Sequence, residues 1–61
     1  MKKFAILEAE ILAGSQLQSA SISYKRTSIP GMTRGEIDLH REKIAMQNFE
    51  AGHILQEENF E

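Results

Sequence analysis

Sixty-one residues leave room for one small domain, and a chain this short buries only about 60% of the surface its unfolded form exposes, so its core needs a supplement. Cysteine is absent, which excludes disulfides and thiolate zinc sites, and two histidines alone do not make a structural metal centre. A formal net charge of −2 excludes a general nucleic-acid binder and leaves self-association as the expected supplement.

Met1-Lys2-Lys3 ahead of Phe4 to Leu7 has the outline of a signal peptide, but Glu8 and Glu10 interrupt the apolar stretch. No apolar run approaches the ~20 residues needed to span a bilayer, so no membrane partner is expected. The absence of cysteine is compatible with a reducing cytoplasm, the expected location.

Over residues 2–13, Phe4, Leu7 and Ile11 fall at i, i+3 and i+7, and the Ala, Leu, Glu and Lys content favours helix. Gly14-Ser15 weakens it, at a cost of about 1 kcal/mol for a mid-helix glycine relative to alanine. Residues 16–25 carry two readings. With period two, Ala20, Ile22 and Tyr24 alternate with Ser19, Ser21 and Ser23, as in a half-buried strand. With the helical period, Leu17, Ala20 and Tyr24 extend the face begun by Phe4. A lone strand has no evident partner within the chain, and the helical reading takes precedence.

Pro30-Gly31 marks a turn, with Pro presetting φ and Gly supplying a positive φ. Thr33 and Glu36 then stand at capping-box spacing, predicting a helix start at Arg34. From there to about Glu57, Ile37, Ile44, Ala51 and Leu55 fall in one helical sector, with Met46 and Ile54 well away from it and Phe49 between. Such a helix is apolar on more than one side. The shorter first arm cannot cover it, so a second copy is expected to, with Ile37, Ile44, Met46, Phe49, Ala51 and Leu55 as interface residues. Gly52 and Glu57-Glu58 weaken the helix end, predicting a frayed acidic tail over about 57–61 in which Phe60 is free to anchor a partner.

The expected architecture is therefore an all-α helical hairpin, residues about 2–24 and 34–57 around a Pro-Gly turn, assembled as a homo-oligomer of one single-domain chain. The alternative is helix-strand-helix, with residues 17–25 pairing between chains.

Little in the sequence carries chemistry. His40 with Glu36 and His53 with Glu57 are four apart, the spacing of solvated His–Glu neighbours on a helix surface, so no metal or other cofactor is expected. The serines have no base and orienting acid at recognisable spacing, so no catalytic residue is assigned and an enzyme is not expected. The basic turn is the one constellation suited to a ligand. Arg26, Thr33 and Arg34 would surround a helix N-terminus, and Gly31 and Gly35 would let backbone approach an anion. The function expected first is a non-enzymatic, self-associating protein that acts by binding another protein, as a regulator, inhibitor or adaptor. The alternative is an oligomeric binder of a phosphorylated small molecule or nucleotide at that turn. A third, weaker reading is an assembly or virion component, in keeping with the small size of many phage-encoded proteins.

Overall fold

A computed structural model describes residues 3–61; Met1 and Lys2, where the expected first helix and the signal-like charges begin, lie outside them. The architecture is a two-stranded antiparallel sheet, one short helix and two 3-10 turns, and not an all-α hairpin. Strand β1 is Phe4–Leu7 and strand β2 is Ile22–Lys25. They pair with Phe4 opposite Lys25, Ala5 opposite Tyr24, Ile6 opposite Ser23 and Leu7 opposite Ile22. Helix α1 is Arg34–Leu39, and the 3-10 turns are Leu17–Ser19 and Glu57–Asn59.

Strand β1 is central because both of its edges are used. Ala5 N–H donates to the Met32 carbonyl (2.8 Å) and Leu7 N–H to that of His53 (3.0 Å), while Leu55 N–H donates to the Ala5 carbonyl (3.0 Å) and Gly52 N–H to that of Leu7 (2.7 Å). Met32 is wedged between Ala5 and Leu55, its own N–H donating to the Leu55 carbonyl at 2.9 Å. This wedge needs the residue before it to be glycine. A Cβ on Gly31 would lie 2.6 Å from Ile54 Cγ2 and 2.9 Å from the Leu55 carbonyl oxygen.

Beyond β1 the chain continues as a ribbon against its own C-terminal half. Ile6 bridges Ile54, Ile11 bridges Phe49 and Gln16 bridges Ile44, all antiparallel. The residue numbers in each pair add to the same total, so one register survives two interruptions. Successive bridges are five positions apart on both sides, and equal spacing leaves the pleat in phase. As a result Ala5, Leu7, Ile11 and Leu17 point inward from one side and Ala45, Phe49 and Leu55 from the other, all of one parity. Met32, Ile37 and Phe60 complete the core.

This arrangement corrects the helical expectation on both arms. Residues 3–24 form no α-helix: Phe4–Leu7 and Ile22–Lys25 are paired strands, and between them only Leu17–Ser19 makes a 3-10 turn. Ile22 and Tyr24 belong to a strand after all, with Ala20 closing the 3-10 turn before it, but the partner is β1 of the same chain and not a second copy. The second helix ends at Leu39 and does not reach residue 57, and His40 caps it at φ −107°, ψ 15°. Beyond it the N–H groups of Ala45, Phe49, Gly52 and Leu55 donate across the ribbon to the carbonyls of Ser15, Ile11, Leu7 and Ala5. The positive φ expected at Gly31 occurs at Gly14 (85°) and Gly52 (92°), where the ribbon turns aside. The C-terminal segment is not frayed. Phe60 is buried, and Ile44 and Glu61 exchange backbone bonds of 2.9 and 2.8 Å.

The two-sided helix that argues for a second copy is absent, while the argument from the chain's small size and lack of any staple is untouched by the fold. Of the residues assigned to an oligomer interface, Ile37, Phe49 and Leu55 are in the chain's own core, while Ile44, Met46 and Ala51 are on the surface. Among the described residues no helix is long and apolar enough to cross a membrane.

Candidate functional site

The geometry that stands out is the meeting of β2 with α1. Antiparallel ladders use alternate residues of each strand for each neighbour. Ala5 and Leu7 of β1 bond away from β2, and Glu8 N–H donates to the Ser21 carbonyl (2.9 Å). The bonds to β1 therefore fall on Ser21, Ser23 and Lys25. The backbone groups of Ile22 and Tyr24 point to the outer edge, where among the described residues no further backbone group pairs with them.

The Ile22 and Tyr24 side chains lie on the face of Ala5 and Leu7, at the margin of the core, and are half-buried. Helix α1 packs beside them, placed by its cap. Thr33 Oγ1 accepts from the Glu36 N–H (3.4 Å), and Glu36 Oε1 accepts from the Thr33 N–H (3.0 Å) and hydroxyl (3.1 Å). One helical turn on, Ile37 enters the core. Between strand and helix runs a groove of about 310 Å³, lined by Ala20, Ile22, Tyr24, Ile37, Asp38 and Arg41 among others. Its two ends are distinct. At one end the Arg34 guanidinium lies 4.6 Å over the Tyr24 ring, a cation–π contact. At the other, Gln18 N–H donates to the Arg41 carbonyl (2.9 Å). Burial raises the Tyr24 pKa above its ordinary value; the Arg34 charge opposes the rise and Asp38 adds to it.

The residues assigned to an anion site are placed differently from the expectation. The Thr33 hydroxyl is engaged in the cap, and the Glu36 carboxylate occupies the helix start where an anion would sit. Arg34 is turned onto Tyr24, and Arg26 is exposed beyond the end of β2. Gly31 makes room for Ile54 and Leu55 instead of a ligand. Two further depressions, one of about 470 Å³ bounded by Lys43, Gln56, Glu57 and Glu58 and one of about 330 Å³ at Ile29, Gly52, His53, Ile54 and Gln56, also take none of Arg26, Thr33 or Arg34 into their walls.

The histidines have partners other than those their spacing suggested. His40 Nε2 lies 3.6 Å from Glu57 Oε1. His53 stacks on Phe49 with ring centroids 4.6 Å apart, and its Nε2 meets Asn59 Oδ1 at 2.8 Å. That oxygen also accepts the Gln56 N–H (2.9 Å), so Nε2 donates and the two bonds hold the last 3-10 turn. Among the described residues no group of three or more His, Asp or Glu is placed to hold a metal ion.

Ile22, Asp38 and Arg41 were not singled out as site residues by sequence reasoning. The period-two pattern of Ala20, Ile22 and Tyr24 was the available signal, and what it lacked was the identity of the neighbouring strand. No protein family, curated protein or solved structure matches the chain.

Proposed function

We propose that this chain is a small non-enzymatic domain that binds another protein, in the manner of a regulator or adaptor. The observation that carries the reading is the free edge of β2 lying beside a groove walled by α1, in which Ala20, Ile22 and Ile37 stand among the polar Gln18, Asp38 and Arg41. A strand edge offers main-chain hydrogen bonds to an incoming segment, and an adjoining groove selects its alternate side chains, a recurrent way for domains to recognise extended peptides. The absence of cysteine suits work in a reducing cytoplasm.

The test is selection of random displayed peptides on the immobilised full chain. The expected result is a set of peptide binders that lose affinity at least tenfold for an Ile22→Asp, Ile37→Ser double variant shown to remain folded by circular dichroism. If that variant unfolds, mapping of the selected peptides by amide shifts on the unaltered chain takes its place. A library that yields no binder, or binders that ignore this groove, overturns the reading.

A further inference from the structure

We propose that Ser28 is a phosphorylation site, accepting the γ-phosphoryl group of ATP from a serine kinase that selects basic residues ahead of its target. The chain leaving β2 reads Lys25-Arg26-Thr27-Ser28-Ile29, which sets two cations three and two positions before the hydroxyl and an aliphatic residue directly after it. A kinase cleft with carboxylates on one side of the reacting hydroxyl and an apolar pocket on the other is complementary to that order. Lys25, Arg26, Ser28 and Ile29 are all exposed, Ile29 at 57%.

The fold presents this hydroxyl and withholds the others. A kinase takes its target as an extended segment, so the segment must come free of any ladder. Residues 26–31 make no backbone-to-backbone hydrogen bond among the described residues, and can be drawn outward without opening the sheet. The Thr27 hydroxyl donates to the Ile29 carbonyl, and Gln56 Nε2 donates to that of Pro30 (2.8 Å). The Ser28 hydroxyl has no such bond among the described residues. Elsewhere Ser19 Oγ donates to the Gln16 carbonyl (2.7 Å), Ser23 Oγ is buried and the Thr33 hydroxyl is in the helix cap. Ser15 and Ser21 have their carbonyls in the ladders, accepting from Ala45 and Glu8. None of Ser15, Ser19, Ser21 and Ser23 follows a Lys or Arg within ten residues. The carboxylates nearest in sequence are Glu10 and Glu36, and Glu36 is turned into the Thr33 cap. Glu57, beside the Gln56 that touches the loop, is paired with His40 at 3.6 Å.

In the reaction Ser28 Oγ attacks the γ-phosphorus of ATP. An O–P bond forms as the bond to the β-phosphate oxygen breaks, ADP leaves with that electron pair, and the hydroxyl proton passes to the kinase's catalytic carboxylate. The phosphoserine carries about −1.5 to −2 charges at pH 7 and adds three acceptor oxygens close in sequence to Lys25 and Arg26. In a chain of net charge −2 this is a large change, placed on the connection between β2 and α1.

The experiment exposes the folded full chain to the catalytic subunit of cyclic-AMP-dependent protein kinase with magnesium ATP. The expected result is a single phosphate in the intact mass, located on Ser28 by fragmentation. Ser28→Ala is expected to abolish incorporation and Thr27→Ala to leave it within twofold. Lys25→Gln with Arg26→Gln is expected to lower kcat/KM at least tenfold; Arg26→Gln alone, with a severalfold loss, serves if the pair disturbs the circular dichroism. The phosphorylated chain is expected to keep its amide dispersion, with shifts centred on residues 25–31. Phosphate on Thr27 or any other residue, or incorporation indifferent to the two basic residues, overturns the proposal. So does a full chain left unmodified under conditions that modify a capped peptide of residues 22–32. Collapsed amide dispersion in the product overturns it as well, since the serine was then reached only through unfolding.

Discussion

Tyr24 is the chain's single tyrosine, and tryptophan is absent, so its ionisation can be followed without interference. Burial holds its pKa above 10, with Arg34 lowering it and Asp38 raising it. An acid whose folded pKa exceeds its unfolded value binds more protons when folded in the interval between the two. Its contribution to stability is therefore fully present below about pH 10 and is lost as pH rises through the folded value. Tyrosinate absorbance is expected to develop at higher pH in the native chain than in denaturant, and Arg34→Gln is expected to move the native curve further upward. A native curve at or below the denatured one contradicts the placement of Tyr24 at the core margin. Ser23, next along β2, makes a different statement. Its Oγ is buried without a hydrogen-bond partner among the described residues, so it gives the strand no polar support.

At the scale of elements, α1 is six residues long, far below the length at which a helix is stable by itself. The capping box and the burial of Ile37 hold it. Thr33→Ala is expected to cost about 1 kcal/mol, because the Glu36 N–H loses its acceptor, while Thr33→Ser leaves stability nearly unchanged. Chemical denaturation of the two variants checks this, and equal midpoints would place the helix start elsewhere. The cap was legible in the sequence because it is local: Thr33 and Glu36 are three residues apart and need no third party. The alternation at Ala20, Ile22 and Tyr24 was half legible, since its period was visible and its partner was not. The ribbon was illegible for the same reason in stronger form. Ile37, Ile44 and Ala51 repeat at a helical interval, and this obscured the common parity of Ala45, Phe49 and Leu55. Parity becomes decisive only when residues 5–17 are known to lie alongside. The site inherited that difficulty, because a free strand edge is defined by which edge of β1 is already taken.

For the whole molecule, the C-terminal segment closes the core, with Phe60 buried and bridged to Ala45. Truncating a buried Phe to Ala typically costs about 3–5 kcal/mol. A domain this small rarely holds more than about 3–5 kcal/mol in total. Phe60→Ala is therefore expected to leave the chain largely unfolded at room temperature, visible as collapsed amide dispersion; a cooperative melt close to that of the unaltered chain would refute the account of the core. The constant register has a consequence for how the molecule can be cut. Each of the three ribbon bridges joins a residue before Arg26 to one after it, and the sheet β1–β2 lies wholly on the first side while α1 lies on the second. The connecting loop serves as a tether that keeps two unlike halves at high effective concentration. Separate synthetic fragments 1–26 and 27–61 are expected to be unstructured alone and to reconstitute the fold on mixing. Their melting temperature would then rise with concentration, as for a two-component complex. In this sense the protein is a heterodimer written on one strand of polypeptide.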